Sequence, residues 1–223
     1  MDWNPLWLSL KLSFITTLIL LVIGLPIAYW LSKKGSTWKL IVEALITMPL
    51  VLPPSVLGFY LLLAFSPQNA LGYWLQKVFN IQFVFSFEGL VLASVIYSLP
   101  FMISPVKSAF DHLPDSMAEA SYTMGKTSRQ TLFYVLLPAI KSAILTASVL
   151  TFAHTLGEFG VVLMIGGNIP GVTKVASIAI YDAVEGMNYS QANAYSLVLF
   201  AISFFIVISV FLFNRKTAKS PLE

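Results

Sequence analysis

Five long apolar runs separated by polar interruptions set the pattern of this chain. A helix crossing the hydrocarbon of a bilayer needs about 20 predominantly apolar residues. Residues 12–32 supply the first run, uncharged throughout, with Lys11 before it and Lys33 and Lys34 after it. Residues 44–65 supply the second, interrupted by Pro49 and by Pro53-Pro54, and residues 89–106 the third, with Pro100 and Pro105 inside. The fourth, residues 141–165, crosses His154 and Glu158; the fifth, residues 192–213, is closed by Arg215, Lys216 and Lys219. Residues 172–184 are shorter and carry Lys174 and Asp182, so they are expected to form an external surface helix or a re-entrant one. The segment 66–87 holds Tyr73, Trp74, Phe79, Phe83 and Phe85 among few charges. That mix suits an amphipathic segment in the membrane interface and equally an ordinary aromatic-rich loop.

The basic residues give these runs a direction. With the N-terminus outside and five crossings, only Lys11, Lys77 and Lys174 fall on the outer side, leaving ten of the 13 Lys and Arg inside. A sixth crossing at 172–184 would reverse the C-terminus and break this asymmetry. The N-terminal run lacks a basic flank, since Asp2 and Asn4 stand there, and is expected to be retained rather than cleaved. At 57% hydrophobic and 10% charged, the 223 residues exclude an ordinary soluble domain, and the net charge of +3 says little about nucleic acid. The chain has no cysteine, so it offers no thiol ligand, disulfide or thiol chemistry. Nor does it contain a GxxxxGK[ST] phosphate loop, an HExxH or a GxSxG, so no ATPase or hydrolase centre is expected in it.

The longest interruption with both signs of charge is residues 114–138, on the inner side of this topology. Ser116 and Glu119 have capping-box spacing, with Pro114 as a rival start in the first turn. Gly125 stands where a helix needs a left-handed residue to stop, and Thr127 with Gln130 offers a second capping box for a new helix running past Phe133. A helix–Gly–helix at a membrane surface is a shape suited to docking. Its residues Glu119-Ala120-Ser121, then Gly125, Val135 and Leu137-Pro138, resemble the E-A-A-x3-G-x9-I-x-L-P motif of ABC-importer permeases. Ser121 replaces the second Ala and Val135 replaces Ile, and the spacing is intact. The resemblance implies that residues 111–138 form a cytoplasmic coupling loop for a separate ATPase, with Glu119, Ala120, Ser121, Gly125, Leu137 and Pro138 as the coupling residues.

Two further stretches stand out. Leu52-Pro53-Pro54-Ser55, with Val56 and Gly58, removes backbone donors inside an apolar run; it reads either as a polar-lined section of a gate or as a structural kink packed by small residues. The second is Leu156-Gly157-Glu158-Phe159-Gly160, followed by Asn168-Ile169-Pro170-Gly171. Glu158 lies 17 residues beyond Lys141, about 25 Å along a helix, which places it near the outer boundary. His154 would then stand one turn before it, and a His154–Glu158 hydrogen bond would lower the cost of both. Direct substrate contact by Glu158 is the competing reading, although a carboxylate is a poor ligand for an anion and could instead hold a gate closed.

Taken in order, these three stretches are similar to the permeases of molybdate importers, and sulfate permeases share the LGEFG-like element. The resemblance implies an all-α integral membrane subunit, one domain over residues 1–223, built on the five-span core of type I importers. It implies a homodimer carrying two ATP-binding cassette subunits and an extracytoplasmic oxyanion-binding protein, in a bacterial or archaeal cytoplasmic membrane. No cofactor is expected in this chain, because ATP and Mg belong to the partner ATPase. Pro53, Pro54, Ser55, Gly157, Glu158, Phe159 and Gly160 are the expected gate and pathway residues. Molybdate or tungstate is the expected substrate, with sulfate, thiosulfate or another small solute of the superfamily as the alternative. An ion-coupled secondary transporter is the reading from a different class.

Overall fold

The computed structural model describes residues 2–33 and 35–218, and all regular structure among them is helical. Lys34 and Lys219, two of the basic flanking residues, lie outside the described residues. The first helix, α1 (Asn4–Ser32), starts eight residues before the uncharged run, with Pro5 in its first turn, and passes Pro26 without ending. Helix α2 (Thr37–Val51) follows, its start capped by the Ser36 hydroxyl. Leu52 and Pro53 are then both extended, since a residue ahead of proline is pushed out of the helical region, and Pro54 opens α3 (Pro54–Phe65). The axes of α2 and α3 differ by 115°, so the run 44–65 is not one straight crossing.

The aromatic segment 66–87 folds into α4 (Ala70–Phe79), which exposes Leu71, Tyr73, Trp74 and Val78 and ends at left-handed Asn80 (φ 54°). Helix α5 (Phe87–Asp111) is capped by Ser86, whose hydroxyl accepts from the Gly89 N–H at 3.1 Å, and continues through Pro100 and Pro105. The loop after it carries α6 (Asp115–Thr123), α7 (Ser128–Thr131), a π-helical turn over Leu132–Leu136 and α8 (Leu137–Ala139). Helix α9 (Lys141–Leu156) leaves the preceding segment, residues 128–139, at an angle of 72°. The expected span 141–165 is interrupted: α9 stops at Gly157, and α10 (Gly160–Gly166) begins after a short irregular stretch. Two more helices, α11 (Ala176–Glu185) and α12 (Tyr189–Ala218), complete the chain.

Among the described residues, α1, α5 and α12 are long and apolar enough to cross a membrane, and two bent pairs, α2–α3 and 128–139 with α9, bring the number to five if each counts once. Helix α11 has ten residues. At about 15 Å long it is too short to cross alone. The Ser9 hydroxyl accepts from the Ala176 N–H at 2.8 Å, which caps α11 from α1. Lys174 and Asp182, the two charges that make 172–184 a poor span, form an ion pair, and Asn168 donates to the same carboxylate.

Packing among the described residues forms three apolar clusters, the smallest made by Leu6 of α1, Ala176 and Ala179 of α11 and Tyr195 of α12, and the two larger ones as follows. Leu8 and Leu12 of α1, Leu61 of α3, Leu90 and Ala93 of α5, Val161, Val162 and Ile165 of α10 and Ile178 of α11 form one. Leu20, Ala28 and Leu31 of α1, Val95, Met102, Ile103 and Val106 of α5, and Ile140 and Ala147 at α9 form the other. Only glycine allows the approach of α3 to α10: a Cβ on Gly58 would lie 2.8 Å from Met164 Cβ and 3.0 Å from Val161 Cα.

Gly58→Val therefore has to push α3 away from α10, an overpacking cost of about 1–3 kcal/mol. We expect the variant to insert but to melt below the wild type in detergent. A wild-type melting temperature would contradict the close α3–α10 contact.

Candidate functional site

The loop between α5 and α9 has two chain reversals built from local chemistry. The first is the Schellman motif that ends α6. The Lys126 N–H donates to Ser121 O at 3.2 Å and the Gly125 N–H to Tyr122 O at 2.9 Å, with Gly125 left-handed at φ 78°. The second is the Thr127–Gln130 capping box, formed in both directions. The Gln130 N–H donates to Thr127 Oγ1 at 3.3 Å, and the Thr127 N–H donates to Gln130 Oε1 at 2.9 Å. The Ser116–Glu119 box is not formed. Pro114 occupies the N-cap, so Ser116 already lies inside α6 and Glu119 stays exposed.

Ser121, the departure from the motif, is 4% exposed and its hydroxyl lies 2.9 Å from Thr131 Oγ1, which ties α6 to α7. Nothing local in the sequence signals that bond. Glu119, Ala120, Tyr122, Met124 and Gly125 are exposed on the loop, as are Phe133 and Tyr134. Pro138 follows the π turn directly. It has no N–H for the Tyr134 carbonyl, and the Leu137 N–H reaches five residues back to Leu132 O. Leu137 is half-buried and Pro138 exposed on this joint between α7 and α9.

The two expected pathway stretches meet. A Cβ on Gly160 would stand 2.8 Å from Pro54 Cβ and 3.2 Å from the Ser55 backbone nitrogen. The break after α2 and the break after α9 are therefore in contact through Pro54, Ser55 and Gly160. Pro53, Pro54, Ser55 and Gly157 are exposed around this contact, while the Phe159 ring packs on Tyr181 with centroids 5.1 Å apart.

Glu158 is placed differently from the sequence expectation. Gly157 ends α9, so the helical spacing from His154 is lost, and no hydrogen bond joins the two: His154 Nε2 and both Glu158 carboxyl oxygens lack partners among the described residues. His154 instead stacks on Phe101, with centroids 3.8 Å apart, and packs on Tyr97. The Glu158 side chain is 5% exposed, turned into the bundle beside Ser94 of α5 without a hydrogen bond of normal geometry. Ser177 of α11 donates to the Glu158 carbonyl at 2.6 Å, which anchors the break to α11. These groups offer no set of three or more His, Asp or Glu for a metal among the described residues.

Comparison with known proteins agrees with this architecture. The chain is 44% identical over 216 residues to the Molybdenum transport system permease protein ModB of Azotobacter vinelandii, covering 96% of this chain and 95% of that one. It is 31% identical to the Sulfate transport system permease protein CysT of Escherichia coli over 91% of this chain and 73% of that one. In fold it superposes on the inward-facing MetNI methionine ABC transporter with a TM-score of 0.74 at 19% identity, covering 95% of this chain and 94% of that one. The family described as "Binding-protein-dependent transport system inner membrane component" matches residues 20–219, and the chain belongs to it, as a permease of the ABC-importer type.

Proposed function

We propose that this chain is the membrane-spanning permease of an ATP-driven importer of molybdate or tungstate. It works as a homodimer with two ATP-binding cassette subunits on the 111–138 loop and an oxyanion-binding protein on the opposite face. The observation that carries the reading is the exposed helix–Gly–helix of α6 and α7, fixed by the Schellman motif and the capping box so that it presents a preformed surface. The 44% likeness to a permease named for molybdenum supports the substrate, and the 31% likeness to one named for sulfate supports the wider oxyanion class. ATP and Mg belong to the partner subunit in this reading.

Movement has a continuous physical route. Closure of the ATPase pair displaces α6 and α7, and the Ser121–Thr131 bond makes them move together. The π turn and the Pro138 joint pass the displacement into α9. At the far end of α9 the Gly157–Phe159 break moves, and the Gly160–Pro54 contact carries it into α3. A pathway with few charges releases a dianion rather than trapping it, so affinity is left to the external binding protein. The topology in this reading has the N-terminus outside, the C-terminus cytoplasmic and five spans, with α2–α3 and the segment around α9 as broken ones.

Gly125 is the sharpest test of docking. Open space surrounds its missing Cβ, so a substitution acts only through the left-handed backbone. That conformation costs an ordinary residue about 1–2 kcal/mol. Gly125→Val should insert normally yet lose copurification with the ATPase or substrate-stimulated ATP hydrolysis. Gly125→Asn, which tolerates that conformation, should retain both. Wild-type behaviour of Gly125→Val in both assays would remove the loop from the coupling role.

Topology is testable because the natural chain has no cysteine. A cysteine at Gln82 should react with an impermeant thiol reagent in intact cells, and one at Lys126 should be protected. Labelling at Lys126 from outside would invert the proposed orientation.

A further inference from the structure

Between the two larger apolar clusters, each of the three central helices carries buried hydroxyl residues. On α1, Ser13, Thr16 and Thr17 separate Leu12 of one cluster from Leu20 of the other. On α5, Ser94 follows Ala93 of the first cluster and precedes Val95 of the second, with Ser98 one turn on. On α9, Thr151 and Thr155 lie between Ala147 and the break at Glu158. Helices α1, α5 and α9 pack on one another, so these residues form a buried polar layer across the bundle.

A helical hydroxyl is satisfied in the cheapest way by donating to a carbonyl one turn back. Ser13, Thr17 and Thr155 do so, at 2.7–2.9 Å. Ser98 has a partner across the helix interface, with its oxygen 3.0 Å from Thr155 Oγ1. Thr16, Ser94 and Thr151 do not follow this rule. Each is 0% exposed, and the hydroxyl oxygen of each has no partner among the described residues. Both carboxyl oxygens of Glu158, beside Ser94, are in the same condition.

A buried hydroxyl without a partner disfavours the conformation that contains it, and a hydrophobe of the same size would relieve the penalty. Ser94 beside an unpaired carboxyl, with Thr16 and Thr151 unpartnered on the two helices packed against α5, makes sense if a second conformation uses these hydroxyls. We propose that Thr16, Ser94 and Thr151 are positioning residues for transport: unpaired in this conformation, their hydroxyls gain partners in a second one, Ser94 through the neighbouring Glu158 carboxyl when the α9–α10 junction moves. The layer thereby sets the balance between two conformations of the bundle. This rests on the transport reading above.

The test is a set of isosteric deletions, Thr16→Val, Ser94→Ala and Thr151→Val, in the permease assembled with its ATPase. Two quantities are read: melting temperature of the nucleotide-free, detergent-purified assembly, and ATP-driven molybdate uptake in proteoliposomes supplied with the binding protein. Removing an unpaired hydroxyl should raise the melting temperature, because the resting conformation loses a penalty. The same change should slow uptake by about two- to tenfold, because the other conformation loses a hydrogen bond. Ser98→Ala, which breaks a bond already made, should lower the melting temperature. A merely structural layer would move stability and uptake in the same direction. Melting temperatures that fall or stay unchanged for Thr16→Val, Ser94→Ala and Thr151→Val overturn the proposal, as does unchanged uptake in stabilised variants. Absence of uptake by the wild-type assembly would instead sink the transport reading, and the melting temperatures would still decide whether these hydroxyls oppose the resting conformation.

Discussion

Everything in this chain depends on keeping backbone polar groups paired in a bundle that water does not reach. Helices do this internally, so each interruption has to be enclosed by protein or placed on a cavity. The fold meets the constraint by bringing two of its interruptions together. Pro53-Pro54 ends one helix, Gly157 ends another, and Gly160 is small enough to seat the second break against the first. Ser177 covers the Glu158 carbonyl from a third element. Irregular backbone from two runs thus meets at one place, where a pathway needs shape and polarity that straight helices do not supply.

The two larger apolar clusters lie to either side of the hydroxyl residues. Helices α1 and α5 run through both, the short helices α3 and α10 belong to one of them, and α11 joins that one to the smaller cluster it makes with α12. At the other end, the π turn and Pro138 attach the docking loop to α9 by a joint whose register is already shifted. A displacement entering at α6 therefore meets rigid elements linked at a few defined points.

Legibility in the sequence followed the range of the interactions. Gly125 and the Thr127–Gln130 box are satisfied within a few residues, and their spacing alone located the bend. Ser116 and Glu119 have equally good spacing, but Pro114 took the cap position and moved the helix start ahead of them. Hydropathy located the apolar runs, and it missed the end of α9 because a glycine inside an apolar stretch hardly changes it. The same miss produced the expected His154–Glu158 pair, which requires a continuous helix. The bonds from Ala176 to Ser9 and between Ser121 and Thr131, and the meeting of Gly160 with Pro54, join residues too far apart for local patterns to reveal.

The central claim is that an external energy source works through the α6–α7 loop to move an oxyanion past the paired breaks. The most direct measurement is uptake of radiolabelled molybdate by proteoliposomes that contain the permease, its ATPase and the binding protein. Ion gradients are then imposed or collapsed at fixed ATP. The account predicts uptake that requires ATP and the binding protein, is competed by tungstate, and is indifferent to the gradients. Uptake that proceeds without ATP and follows an ion gradient would contradict it.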